Sequence, residues 1–309
     1  MGTTWNVKVV TSPLSPAEQA GLKERIEAAL ERVDASMSHY RQDSELSLFN
    51  AASDDEPFAV SAGLLEVVAL ADEISRMSSG AFDITIAPLI SAWGFGSSPA
   101  ADHAPTAPQI QALLEQCGHD LLEVDRESSS LLKRHPNLTI NLSAIAKGYA
   151  VDTVAEALEA EGVAAYLIEL GGELRVQGDN IDGKPWRVAI EVPQSGPREF
   201  QRVIALRRGA VATSGEYRNF RVVDGERVSH TIDPRTGRSI QHRLASVTVI
   251  DPSCARADAL ATALNVLGPE DAWKLSLEHE IAALLQVATD DGLEERTTPA
   301  FERRLDTNR

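Results

Sequence analysis

With 309 residues, 43% of them apolar and 24% charged, the chain has an ordinary globular composition and can bury a sizeable core. Its net charge of −17 argues against a nucleic-acid backbone as partner, and no apolar run reaches the roughly eighteen residues of a membrane-spanning helix. The same charge repels any anionic ligand, so a metal or local basic groups must offset the field where one binds.

In chain order, Ser15-Pro16-Ala17-Glu18 reads as a capping box with proline at the first helical position. Leu22, Ile26, Leu30, Val33 and Met37 then mark one buried face of a long helix. A second helix is predicted over 61–78, and a third from Thr106, in a further capping box, to Gly118. Between them, Gly80-Ala81-Phe82-Asp83 stops the second helix ahead of an apolar run, 84–90, that reads as a buried strand. Trp93-Gly94-Phe95-Gly96 reads as a tight, aromatic-anchored turn, and 96–105 is the most linker-like stretch.

Short β-like runs at 121–125, 130–134 and 138–142 precede a helix from Ala144 to Glu161 that stops at Gly162. Strands are predicted at 165–170, 173–177, 186–192, 202–207, 210–213, 217–223 and 244–250. A helix follows from Ser253, another from Pro269, then a strand at 281–288 that Asp290-Asp291-Gly292 turns into a last short one. Helices and strands cluster instead of alternating, which points to an α+β fold with helices packed on largely antiparallel sheets. No composition shift divides the chain, so a single domain over 1–309 is expected. Cys117 and Cys254 are too few and too isolated for a disulfide framework or a zinc site, and read as buried small residues.

Chemistry gathers at a few points. Asp258 and Thr262 stand four residues apart on a predicted helix, which stacks a carboxylate and a hydroxyl on one face. Both are hard oxygen donors that suit Mg²⁺ or Ca²⁺ better than zinc, although most such pairs simply face water. At Asn141-Leu142-Ser143-Ala144 a strand feeds a helix amino terminus, with Lys147 and Tyr149 in its first turns; free N–H groups and the positive dipole end favour a phosphate there. Gly171-Gly172 lies between two strand-like runs, not before a helix, and the G-x-G-x-x-G pattern is absent; a tight turn is expected, not a dinucleotide fold. His230 leaves a strand-like segment for a Pro/Gly turn, a place where a polar group is either structural or functional.

Taken in order, AFDITIAPLISAWGFG (81–96), INLSAIAKGYAVD (140–152), ELGGELRVQG (169–178), VATSGEYRNF (211–220), SHTIDPRTG (229–237) and SCARADALATALNVLG (253–268) resemble the ApbE family, the FAD:protein FMN transferases. The resemblance runs from Met1 to the Asp258 helix. It implies a Mg²⁺-dependent enzyme that binds FAD and moves its FMN half onto a Ser or Thr hydroxyl of an acceptor flavoprotein, such as a subunit of a membrane redox pump, releasing AMP. By position it assigns the metal to the Ala146 carbonyl, Asp258 and Thr262. It assigns FAD contacts to Met1, Tyr40, Ala81, Phe82, Asp83, Ser143, Tyr149 and Ile232. It gives His230 a role at the reacting centre, with Asp258 the second choice of base, and makes Arg218 and Arg235 candidate cations near the pyrophosphate. Family members often carry an upstream secretion or lipid-anchor segment, so a periplasmic or cell-envelope location is expected, with the cytoplasm as the alternative. Two rival activities use the same residues: FAD hydrolysis to FMN and AMP, and FAD storage without chemistry.

Overall fold

The computed structural model describes residues 2–52, 56–96, 103–193, 200–215, 220–223 and 226–306. In chain order the elements are β1 (Trp5–Val9), α1 (Pro16–Met37), α2 (Glu45–Ala51), β2 (Phe58–Ala59), α3 (Ala62–Met77), α4 (Ala87–Ala92) and α5 (Ala107–Leu114), then β3 (Leu122–Asp125), β4 (Ser130–Lys133) and α6 (Ala146–Ala160). There follow β5 (Tyr166–Leu170), β6 (Glu173–Gln177), β7 (Trp186–Glu191), β8 (Phe200–Leu206), β9 (Arg208–Gly215), β10 (Phe220–Val223), β11 (Glu226–Ser229), β12 (Ile232–Asp233) and β13 (Arg238–Ser239). The chain closes with β14 (Leu244–Asp251), α7 (Cys254–Glu278), β15 (Ala282–Thr289), β16 (Gly292–Thr297) and α8 (Pro299–Asp306).

A seven-stranded sheet, ordered β1-β5-β6-β9-β14-β15-β16, is the frame, and every strand pair among the described residues is antiparallel. The α+β expectation therefore holds. Alternation along the strands sorts side chains between two cores. Ala283, Leu285 and Val287 of β15 face the larger core with α1, α3, α6 and α7, whereas Ala282 and Leu284 face a second one with the β7–β8 hairpin and Phe301 of α8. A third cluster, with Leu89, Trp93, Ile110, Val223, Val228 and Ile232, supports the loop after β11.

Local chemistry explains most boundaries. Ser15 and Glu18 form the reciprocal capping box of α1, and Ile26, Val33 and Met37 are its buried stripe. Ser61 caps α3 and Thr106 caps α5. Gly171 and Gly172, both at positive φ, make the tight turn between antiparallel β5 and β6, as the absent dinucleotide pattern required.

Two expectations change and a third holds. Residues 84–90 are not a strand: Pro88 opens the short helix α4 instead. Residues 138–142 join no ladder of their own, and Asn141 N–H donates to the Ile84 carbonyl at 2.7 Å. The expected break before Pro269 is present: α7 is two helical segments joined at a kink where Gly268 takes φ 77°.

Candidate active site

The centre of the site is the crossing of α6 and α7. Gly148, on the first turn of α6, lies so close to the start of α7 that a Cβ there would stand 2.3 Å from the Cys254 carbonyl oxygen. Only glycine permits this approach. It lets the Gly148 N–H donate to Oδ2 of Asp258 at 3.1 Å, which brings Ala146, two residues earlier, to the same junction. Asp258 is 6% exposed; Thr262, half-buried, follows it by one turn. The start of α7 is itself pinned by Asp152 of α6. Its carboxylate accepts from the N–H groups of Cys254 and Ala255, both at 3.0 Å, from the Ser253 hydroxyl at 2.9 Å and from Arg175 at 2.7 Å. An anion here satisfies orphan amides and meets the positive end of the helix.

Lys147, placed by the sequence in the first turn of α6, and Glu173, which motif reading left out, complete the junction. Lys147 pairs with Glu173, the first residue of β6, whose side chain is buried and whose second oxygen, Oε2, has no hydrogen-bond partner. Burial, then the Asp258 charge, pushes the Glu173 carboxyl up to about 8 against the opposing pull of Lys147. Burial likewise raises Asp258, with Lys147 and the Gly148 N–H pulling the other way. Burial alone would lower the Lys147 ammonium, but Asp258 and Glu173 together raise it.

This arrangement fits a hard divalent cation. Two desolvated carboxylates share one ammonium, which leaves the cluster short of positive charge. Among the described residues no three His, Cys, Asp or Glu side chains could hold a metal together. Any ion here would need carbonyl and hydroxyl oxygens beside Asp258, the donor set of Mg²⁺ or Ca²⁺.

The other expected residues lie around this junction. Ser143 is exposed, its hydroxyl 3.5 Å from Nδ1 of His39, and His39 sits against Tyr40 with ring centroids 3.9 Å apart. Tyr40 is 67% exposed, so an aromatic face is open beside the start of α6. Tyr149 turns towards α3, its hydroxyl 3.5 Å from Glu66. Ala81 and Phe82 are buried in the core, so this turn offers a ligand backbone more readily than a ring. Asp83, also buried, accepts from the N–H and hydroxyl of Thr85 at 2.8 and 2.7 Å, and burial raises its pKa. Met1 and Arg218 lie outside the described residues.

His230 is half-buried and meets Phe95 edge-on at 6.4 Å, and the indole N–H of Trp93 donates to the Gly237 carbonyl at 2.8 Å. The aromatic turn thus braces the histidine loop. Ile232 is buried in β12. Arg235 is paired twice with Asp233 at 2.9 Å, and its side chain lies beside Gly80, which ties this loop to the Ala81–Asp83 turn. A guanidinium so engaged is a weaker candidate for a pyrophosphate than its charge suggests.

Comparison with known proteins gives a consistent result. A model of the ApbE family matches residues 1–285. The FAD:protein FMN transferase of Vibrio cholerae is 44% identical over 302 residues, which cover 98% of this chain and 90% of the relative. The solved flavin transferase ApbE from Vibrio cholerae superposes with a TM-score of 0.90 at 42% identity, over 98% of this chain and 96% of that one. The apo form of the Pseudomonas stutzeri flavinyl transferase ApbE gives 0.89 at 40% identity, over 99% and 94%.

Proposed function

The chain belongs to the ApbE family, and on that footing we infer that it is an FAD:protein FMN transferase, an enzyme that moves the FMN half of FAD onto an acceptor protein and releases AMP. The observation that carries the reading is Asp258, a buried carboxylate held by a backbone amide at the α6–α7 crossing, in a cluster short of positive charge. A binding protein that stored FAD unchanged would gain nothing from that costly burial.

We propose that the Ala146 carbonyl, Asp258 and Thr262 would hold Mg²⁺, which when bound would neutralise charge on the phosphorus under attack and on the departing AMP. The amino terminus of α6 presents N–H groups to the diphosphate, and Tyr40 offers an open aromatic face to the flavin. The attacking group is a Ser or Thr hydroxyl of the acceptor. His230 takes its proton as the new P–O bond forms and the bond to AMP breaks. Asp258 is the poorer base, because one oxygen accepts from the Gly148 amide and the carboxylate would hold the metal.

The test incubates the protein with FAD and Mg²⁺, with and without an acceptor flavoprotein. Covalent flavin on the acceptor is the expected outcome. FMN and AMP released equally with or without acceptor would make the enzyme a hydrolase, and unchanged FAD would make it a storage protein. Asp258→Asn should abolish Mg²⁺-dependent turnover while the far-ultraviolet spectrum stays native; normal turnover at low Mg²⁺ would remove Asp258 from the metal site. His230→Ala should slow transfer by about a hundredfold to ten-thousandfold with little change in FAD affinity, the signature of a group used in the transition state.

A further inference from the structure

Lys147 sits between Ala146 and Gly148, so its main chain is part of the junction that holds Asp258. Its side chain does not close on Asp258. It reaches across to Glu173 at the start of β6 and donates to Oε1. Glu173 is 2% exposed, its Oε2 has no partner, and among the described residues Lys147 is the only cation paired with it. Without Lys147, Glu173 would be a buried carboxyl with no cation beside it. Asp258 has the Gly148 amide as well. The ammonium is therefore worth more to Glu173 than to Asp258, and this decides where it goes.

We propose that Glu173 is a positioning residue, which draws the Lys147 ammonium away from Asp258 and so leaves the Asp258 carboxylate open to the divalent cation. This rests on the reading of Asp258 as a metal ligand. In a desolvated pocket an ammonium and a divalent cation compete for one carboxylate, and a lysine one residue from a metal-binding carbonyl would ordinarily win the contact in the absence of metal. Glu173 removes the competitor by holding the ammonium at its own Oε1.

The experiment measures Mn²⁺ binding to the purified, FAD-free protein, from the loss of the free-ion electron paramagnetic resonance signal. Asp258→Asn should lose binding; if it binds as wild type does, the metal reading itself fails. Glu173→Gln keeps the shape but frees Lys147, and should weaken Mn²⁺ by on the order of tenfold or more, since each factor of ten needs only about 1.4 kcal/mol of new competition. The double variant Glu173→Gln/Lys147→Met has no ammonium left to compete and should recover affinity to within about threefold of wild type. Wild-type affinity in Glu173→Gln would overturn the proposal, as would a double variant as weak as the single one, the result expected if Glu173 bound the metal directly. Should Glu173→Gln fail to fold by circular dichroism, Lys147→Met alone decides: it should bind Mn²⁺ at least as tightly as wild type, and weaker binding would overturn the proposal.

Discussion

At the scale of the residue, Gly148 and Glu173 carry the most risk. Gly148→Ala forces a methyl against the Cys254 carbonyl, a backbone atom that cannot swing away, so the two helices must separate. A loss of about 3 kcal/mol or more is expected in chemical denaturation; a variant of wild-type stability would mean that the helices do not meet there. For Glu173, the folded carboxyl sits near 8 against 4.5 for the free group, so between those values the folded state binds more protons than the unfolded one. The stability that Glu173 contributes to the metal-free protein then falls as pH rises through that window, and Glu173→Gln should remove that part of the slope seen in thermal melts. A Glu173→Gln variant with the same pH slope as wild type would contradict this account. Asp258 and Thr262 were legible in the sequence because helical spacing alone pairs them. Glu173 was not, since its burial depends on Lys147, 26 residues earlier, folding back over the β5–β6 turn.

At the scale of the element, α7 holds both proposed metal ligands, Asp258 and Thr262, and much of the main core, and its start is set by Asp152. Asp152→Ala removes four hydrogen bonds and leaves Arg175 with the more distant Glu159 carboxylate at 3.6 Å, at a cost of about 2–4 kcal/mol. It should also weaken Mn²⁺ binding, because Asp258 lies on the turn that Asp152 anchors; unchanged affinity would show that the metal site is independent of that cap. Long helices with caps, α1, α3 and α6, were readable from periodicity and start signals. The short helices α2, α4 and α8 escaped, because six to eight residues barely establish a period and tertiary contacts decide them. The same holds for β1, which becomes a strand only by pairing with β5.

At the scale of the whole molecule, net charge −17 sets how fast an anionic flavin dinucleotide arrives. Repulsion is screened by salt, so the association rate of FAD, followed by flavin fluorescence in a stopped-flow instrument, should rise with ionic strength. A rate that falls would reveal a local positive funnel stronger than the overall field. The second core has a different consequence, for anyone seeking a minimal enzyme. The family match stops at residue 285, yet β16 pairs with β15 beyond that point, and Phe301 and Leu305 of α8 seal the far face of the sheet. A gene trimmed to the recognised segment would keep Asp258, Thr262 and His230 while exposing a greasy, half-finished sheet with an unpaired edge. Such a fragment should go to inclusion bodies where the full chain stays in solution, so the portable catalytic unit is longer than the part that family comparison marks out.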